Sequence, residues 1–148
     1  MLVKNQQIIS EFDMVNTYIE NLRKQEGDKL LIFKEVRNNQ KRIDIVQIKR
    51  HKNRLGAAHA IEFKVFNWKK GFRQTLGNRI LLPYNSLAIW EDYENKVDRE
   101  ILINEGIGLI IVAKNKNIVE LKPKKSNYLL NSTYQKIRER IKNKYIYP

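Results

Sequence analysis

Glu62 and Lys64 stand two residues apart in the run AHAIEFKVF. In an extended strand alternate side chains share a face, so these two point one way while Ile61, Phe63 and Val65 point the other. Asp44, set between Ile43 and Ile45 in the preceding apolar run, breaks a buried pattern with a charge. One hairpin joins the two runs, so Asp44 can approach Glu62, and two carboxylates and an ammonium then converge. Burying two like charges together is costly unless something compensates. A divalent cation does so, and hard oxygen ligands suit Mg²⁺ or Mn²⁺. The backbone carbonyl of Phe63 is a natural further ligand. Such a cation lowers the pKa of its bound water and neutralises charge on a phosphate under in-line attack. Lys64 would orient the water or stabilise the added negative charge. The plainer alternative is a cross-strand salt bridge on a solvated face, because Glu-x-Lys by itself is common.

The elements that must position these groups follow from periodicity and turn residues. Ile8, Phe12, Val15, Ile19 and Leu22 recur at helical spacing and predict a helix over 6–24 that stops at Gly27. Runs 30–37, 42–49 and 58–66 read as an antiparallel meander, with a turn at 38–40 and a polar loop over 50–56. Asn67 is placed to cap a helix over 68–78, whose Trp68, Phe72 and Leu76 would face the sheet. A buried strand over 84–90, a covering helix over 92–104 and a strand over 109–113 come next. A hairpin at 115–117, a strand over 118–121 and a basic helix over 131–145 complete the chain. Tyr134, Ile137, Ile141 and Tyr145 would share one side of that last helix. The expectation is one α/β domain over 1–148 in which helices flank a mixed sheet.

Composition narrows the chemistry. There is no cysteine, which removes disulfide scaffolds, thiolate zinc sites and cysteine nucleophiles. With only His51 and His59, a multi-histidine metal site is nearly excluded. The longest apolar stretch, 107–113, is far short of the roughly 20 residues of a membrane span, and no signal-peptide block opens the chain. No membrane association and a cytoplasmic location are expected.

The 148 residues hold 29 Lys+Arg against 16 Asp+Glu, a net charge of +13. The excess is uneven. Lys49, Arg50, Lys52, Arg54, Lys64, Lys69, Lys70, Arg73 and Arg79 face one acid over 49–82, and 114–148 form a basic C-terminal extension. Such surfaces attract polyanions, nucleic acid being the usual one. Lys49, Arg50, Lys52 and Arg54 in the hairpin, and Lys69, Lys70 and Arg73 on the outward side of the Trp68 helix, are candidate backbone contacts. Trp68 and Trp90 read as core residues, and Ser86 has no visible partner.

An acid in an apolar strand, a hairpin, an apolar-Glu-apolar-Lys-apolar strand and a Trp-containing helix with a glutamine resemble the PD-(D/E)XK nuclease superfamily. The matching stretch runs from Arg42 to Asn78, and the resemblance covers about 8–113. It implies a restriction-endonuclease-like αβββαβ core, to which this chain would add a C-terminal hairpin and helix. It implies Asp44 and Glu62 as metal ligands, Lys64 as catalytic lysine, and Gln74 as the glutamine some branches carry in the next helix. Those branches often place tyrosine four residues later, where this chain has Asn78. The proline that often precedes the acid is replaced by Ile43. The family often adds a glutamate from the first helix. Glu11, in line with Val15, Tyr18 and Leu22, competes for that role with Glu20 on the polar side, and Glu11 is the better placed. The implied activity is Mg²⁺- or Mn²⁺-dependent phosphodiester hydrolysis, with DNA as the expected substrate and a homodimer suited to cutting both strands. The rival expectation is a binding module of the same fold that grips nucleic acid without cutting it, as a subunit of a larger complex.

Overall fold

A computed structural model describes residues 9–52 and 54–146, omitting the side chains of 145 and 146. Its spine is a six-stranded sheet. Strands β1 (Leu30–Asn38), β2 (Lys41–His51) and β3 (Arg54–Lys64) pair antiparallel, β4 (Tyr84–Trp90) and β5 (Gly108–Val112) join parallel, and β6 (Asn117–Leu121) closes antiparallel. Spatial order equals chain order. Among the described residues four α-helices flank the sheet: α1 (Glu11–Glu26), α2 (Trp68–Gly77), α3 (Arg99–Asn104) and α4 (Asn131–Ile146).

Three apolar clusters show how the faces are covered. Met14, Tyr18 and Leu22 of α1 pack on Ile45, Ile61, Phe63, Ala88 and Val112. On the other face Trp68, Phe72 and Leu76 of α2 and Leu102 of α3 cover Leu87, Ile89 and Leu109. Also there, Tyr134, Ile137 and Ile141 of α4 cover Val46, Ile48, Ala58 and Ala60. The central strands are therefore buried on both sides, which is why β5 and the second half of β4 (residues 87–90) read as continuous apolar runs.

The helix order expected from the sequence is the order found, with several corrections. Ser10 caps α1 by accepting the Asp13 N–H at 3.0 Å, so the helix starts at residue 11 rather than 6, and Ile8 lies outside the described residues. Phe12, expected in the apolar stripe, is 73% exposed. The polar tract 50–56 is not a loop: His51 pairs with Arg54, and the two strands run almost to the tip, where Lys52 takes a positive φ of 55°. Polar residues form strand here because the extended hairpin satisfies their backbones, with Leu55 alone of the described residues packing toward the core. The expected helix over 92–104 is split into a 3₁₀ turn (Glu91–Lys96) and α3, with Asp98 capping α3 through the Ile101 N–H. The third strand ends at Lys64, two residues early, and Asn67 caps α2 as expected.

The two layers are pinned by specific contacts. Asn21 Nδ2 donates to the Ala113 carbonyl (2.9 Å) and to Asn117 Oδ1 (3.1 Å), and Asn117 Nδ2 donates to the Tyr18 carbonyl (2.8 Å). This buried amide network fixes α1 on the β5–β6 hairpin and so fixes where its first turn lies. Opposite, α2 rests on Gly71: a Cβ there would meet Leu87 Cδ1 at 2.5 Å and Lys64 Cγ at 2.7 Å. Gly77, near the same helix's end, would meet only the flexible tip of Lys41. Gly71→Ala is expected to destabilise by about 1–3 kcal/mol through overpacking. Gly77→Ala should be neutral or slightly stabilising, because alanine is the better helix former. Urea denaturation midpoints check both, and equal losses would show that Gly71 is not the point of close approach.

Candidate active site

The register brings the two acids together. The β2–β3 ladder pairs Ile45 with Ile61, and Asp44 and Glu62 are the next residues outward. There the regular pattern breaks. Ile43 packs with Val46 and Ile48 instead of with Ile45, so the alternation slips around Asp44. Across from it, Glu35 has a φ of +52°, and the β1–β2 register passes over the Glu35–Asp44 position. Asp44 uses this irregularity to turn along the sheet. Its Oδ2 accepts the Phe63 N–H at 2.9 Å, taking the place of a β2 carbonyl. The N–H and C=O of one strand residue point to the same side, so the Phe63 carbonyl lies on this edge too.

Glu62 is 2% exposed, and its carboxyl group reaches that of Asp44 closely enough to share a hydrogen bond. Asn78, just after α2, donates its Nδ2 to Glu62 Oε1 at 2.9 Å. Burial first, then the Asp44 charge, push the Glu62 carboxyl up to about 8. The Asn78 amide and the nearby Lys41 ammonium oppose the shift. Lys41 itself donates to the Gln74 carbonyl at 3.3 Å, and burial lowers its pKa despite the attraction of Glu62. Arg42 Nη2 lies 3.5 Å from Asp44 Oδ1. Two buried oxygens of α2 and its end, Gln74 Oε1 and Asn78 Oδ1, have no partner.

Lys64 is stretched under Gly71, and its ammonium meets Glu11 Oε1 at 3.2 Å. Of the two first-helix acids, Glu11 therefore reaches the site region. Glu20 lies elsewhere, beside Asn16, Arg23 and Lys34. Glu11 forms the wall between two open clefts. One, of about 300 Å³, is lined by Phe12, Lys34, Arg42, Asp44 and Phe63; the other, of about 560 Å³, by Lys64, Phe66, Asn67, Lys70 and Tyr93.

The sequence-based site is thus brought together in part. Asp44, Glu62 and Phe63 meet, and Lys64 and Glu11 pair with each other at the cleft wall. Gln74 contributes its backbone carbonyl to Lys41, while its side chain makes no bond to either acid; the residue that holds Glu62 is Asn78. Among the described residues no three His, Asp or Glu side chains converge, so Glu11 does not join the acid pair. Lys69, Lys70 and Arg73 are exposed on α2, with Lys70 at the cleft. Lys49, Arg50, Lys52 and Arg54 are exposed at the far end of the hairpin. Eight residues at ~3.4 Å put Arg54 roughly 27 Å from Glu62 along β3, so this basic group is separate from the site. Trp90 is core and Trp68 partly buried, as expected.

Sequence reasoning missed Lys41 and Arg42. Arg42 stands two residues from Asp44 in one strand, a spacing that signals a shared face; Lys41, three residues from Asp44, had no such signal. Ser86, without a visible partner in the sequence, lies 2.6 Å from His59 Nε2, and burial pushes this imidazole down to about 4.

The fold is of the mixed α/β class, a six-stranded sheet flanked by helices. The SPO1766 protein of unknown function from Silicibacter pomeroyi shares it, with a TM-score of 0.67 and 11% identity over 94% of this chain and 88% of that one. No protein-family model and no curated protein matches the chain. No helix among the described residues is long and apolar enough to cross a membrane.

The raised Glu62 carboxyl has a sign that can be tested. A folded-state pKa above the unfolded value favours folding at low pH, and that contribution is lost as pH rises through about 8. In EDTA, Glu62→Gln, which keeps an oxygen for Asn78, should gain stability over the parent protein as pH goes from 5 to 9. Thermal denaturation of the pair checks this; a gap that does not change with pH would show that Glu62 ionises normally.

Proposed function

We propose that this chain is a metal-dependent nuclease of the restriction-endonuclease-like fold, hydrolysing phosphodiester bonds, with DNA as the expected substrate. The observation that carries the reading is the contact of Asp44 and Glu62 at one strand edge beside the Phe63 carbonyl. Two carboxylates and a carbonyl are hard oxygen donors, the set with which Mg²⁺ is held when waters complete the shell. The unpartnered buried oxygen of Asn78, on the amide that holds Glu62, leaves further acceptor capacity. Asp44, Glu62 and the Phe63 carbonyl would hold the cation, which supplies Lewis-acid activation of water and charge neutralisation on phosphate.

The chain's own residues account for the remainder. Asn78 holds one Glu62 oxygen and leaves the other toward Asp44. The Phe63 N–H fixes the Asp44 carboxylate in the plane of the sheet. In hydrolysis a water oxygen bonds to phosphorus, the P–O ester bond breaks, and the leaving oxygen takes up a proton. Lys64 would release Glu11 and turn toward the phosphate, stabilising its added negative charge. Arg42, Lys34 and Lys70 line the clefts on either side and suit the flanking phosphates.

With Mn²⁺ or Mg²⁺, the purified protein is expected to cut at least one of duplex, single-stranded, branched or RNA substrates. Asp44→Ala and Glu62→Ala should abolish cleavage, and Lys64→Ala should lower it by about 10²-fold or more, all with nucleic-acid binding retained. Absence of cleavage on every substrate sinks the enzyme reading.

A second reading has its own support: Lys64 is neutralised by Glu11, and Glu62 is almost inaccessible. Both suit a module that grips nucleic acid without cutting it. Binding that falls steeply with salt and ignores divalent metal would favour this alternative.

A further inference from the structure

The two most exposed large apolar side chains among the described residues are Phe12, at 73%, and Phe66, at 63%. They are 54 positions apart in sequence, yet each lines a cleft that has Glu11 as a wall. Phe12 stands in the cleft with Asp44, Lys34 and Arg42. Phe66 stands in the cleft with Lys64 and Lys70, its ring 5.9 Å from that of Tyr93. An isolated exposed apolar residue needs no explanation. Two rings in adjoining clefts each stand beside basic side chains, Lys34 and Arg42 (paired with Glu35 and Asp44) on one side, Lys70 and Lys64 (paired with Glu11) on the other. Rings beside cations suit a chain of alternating bases and phosphates whose base faces are free.

We propose that Phe12 and Phe66 are stacking platforms for unpaired bases on either side of Glu11, Phe12 in the cleft that Asp44 also lines, so that the ligand of these clefts is single-stranded nucleic acid. This deepens the nuclease reading and rests on it for the location of the scissile phosphate. An intact duplex buries its base faces in the stack and offers the rings nothing to stack on. Lys70 on one side and Lys34 and Arg42 on the other would carry the backbone past Glu11.

The test separates the two readings because it needs no cleavage. A single-stranded oligonucleotide carrying 2-aminopurine is titrated with protein in EDTA, and a duplex of the same sequence is titrated in parallel. The parent protein should quench the fluorescent base on binding the single strand. Phe12→Ala and Phe66→Ala should each weaken single-strand binding about tenfold and leave duplex binding unchanged, and Phe66→Trp should restore it. Both positions are exposed, so the variants should keep the parent's denaturation midpoint. Single-strand affinity that survives both alanine substitutions, or that falls in step with duplex affinity, overturns the proposal. So does failure of the parent to bind a single strand at low salt. None of these results touches the nuclease reading, which stands or falls on cleavage with Mn²⁺.

Discussion

A carboxylic acid buried against a second carboxylate is the constraint around which this end of the molecule is built. Glu62 has almost no contact with water, and Asp44 is the neighbour that makes ionising it hardest. A side chain in that position is unfavourable for folding alone, since an apolar residue of similar volume would fill the space without penalty. Several features of the backbone serve the pair. The alternation of β2 slips at Asp44, Glu35 adopts a left-handed conformation opposite, and the Phe63 N–H is taken from the ladder to hold Asp44. Strain and irregularity of this kind gather where a site demands a geometry that regular structure does not supply.

The surrounding charges are graded by distance. Lys41 is partly buried under the end of α2 and feels Glu62 directly. Arg42 touches Asp44 at the surface, where the pair adds little to stability. Lys64 lies along Gly71 and ends on Glu11, half exposed at the start of α1. The placement of Glu11 depends in turn on a contact far along the helix, the Asn21–Asn117 network that pins α1 to the β5–β6 hairpin. A change in that hairpin would therefore be felt at the cleft wall, through a rigid helix of sixteen residues rather than through any direct contact.

Much of this was legible in the sequence, for identifiable reasons. The meander, the mixed sheet and the flanking helices follow from periods of two and 3.6 residues, and Asn67 marks the start of α2 by capping chemistry; Ser10 and Asp98, which cap α1 and α3, were not read as caps, so those two helices were expected to start too early. Asp44 and Glu62 were visible because a charge inside an apolar strand is conspicuous and a hairpin register is nearly fixed by its turn. What failed was local where no buried face existed. Over 50–56 only Leu55 of the described residues packs against the core, so no alternation announced the strands of the hairpin tip, and Phe12 carried a helical spacing while 73% exposed. The role of Asn78 was half visible, since it shares a helix face with Gln74. Which of the two would reach the acid depended on where α2 crosses the sheet, and that is set by the close approach at Gly71.

The basic surface divides in the same way. Charge counting placed the hairpin cations and the α2 cations in one class, yet the strands carry Arg54 roughly 27 Å from the acid pair. Near the site the cations are fewer and interleaved with aromatic rings; at the hairpin tip they stand on a two-stranded ribbon. Arg138 braces that ribbon by donating to the Leu55 and Gly56 carbonyls at 2.6 and 2.7 Å. A polyanion that touched both regions would have to lie along the length of β3. Net charge alone can draw such a ligand in, since it acts over about a Debye length without regard to shape. Under the proposed function it is the acid pair beside the cleft, not the field, that would act on a phosphate. The field of the whole chain and the geometry of one strand edge are therefore separable contributions, with different dependence on salt and on substitution.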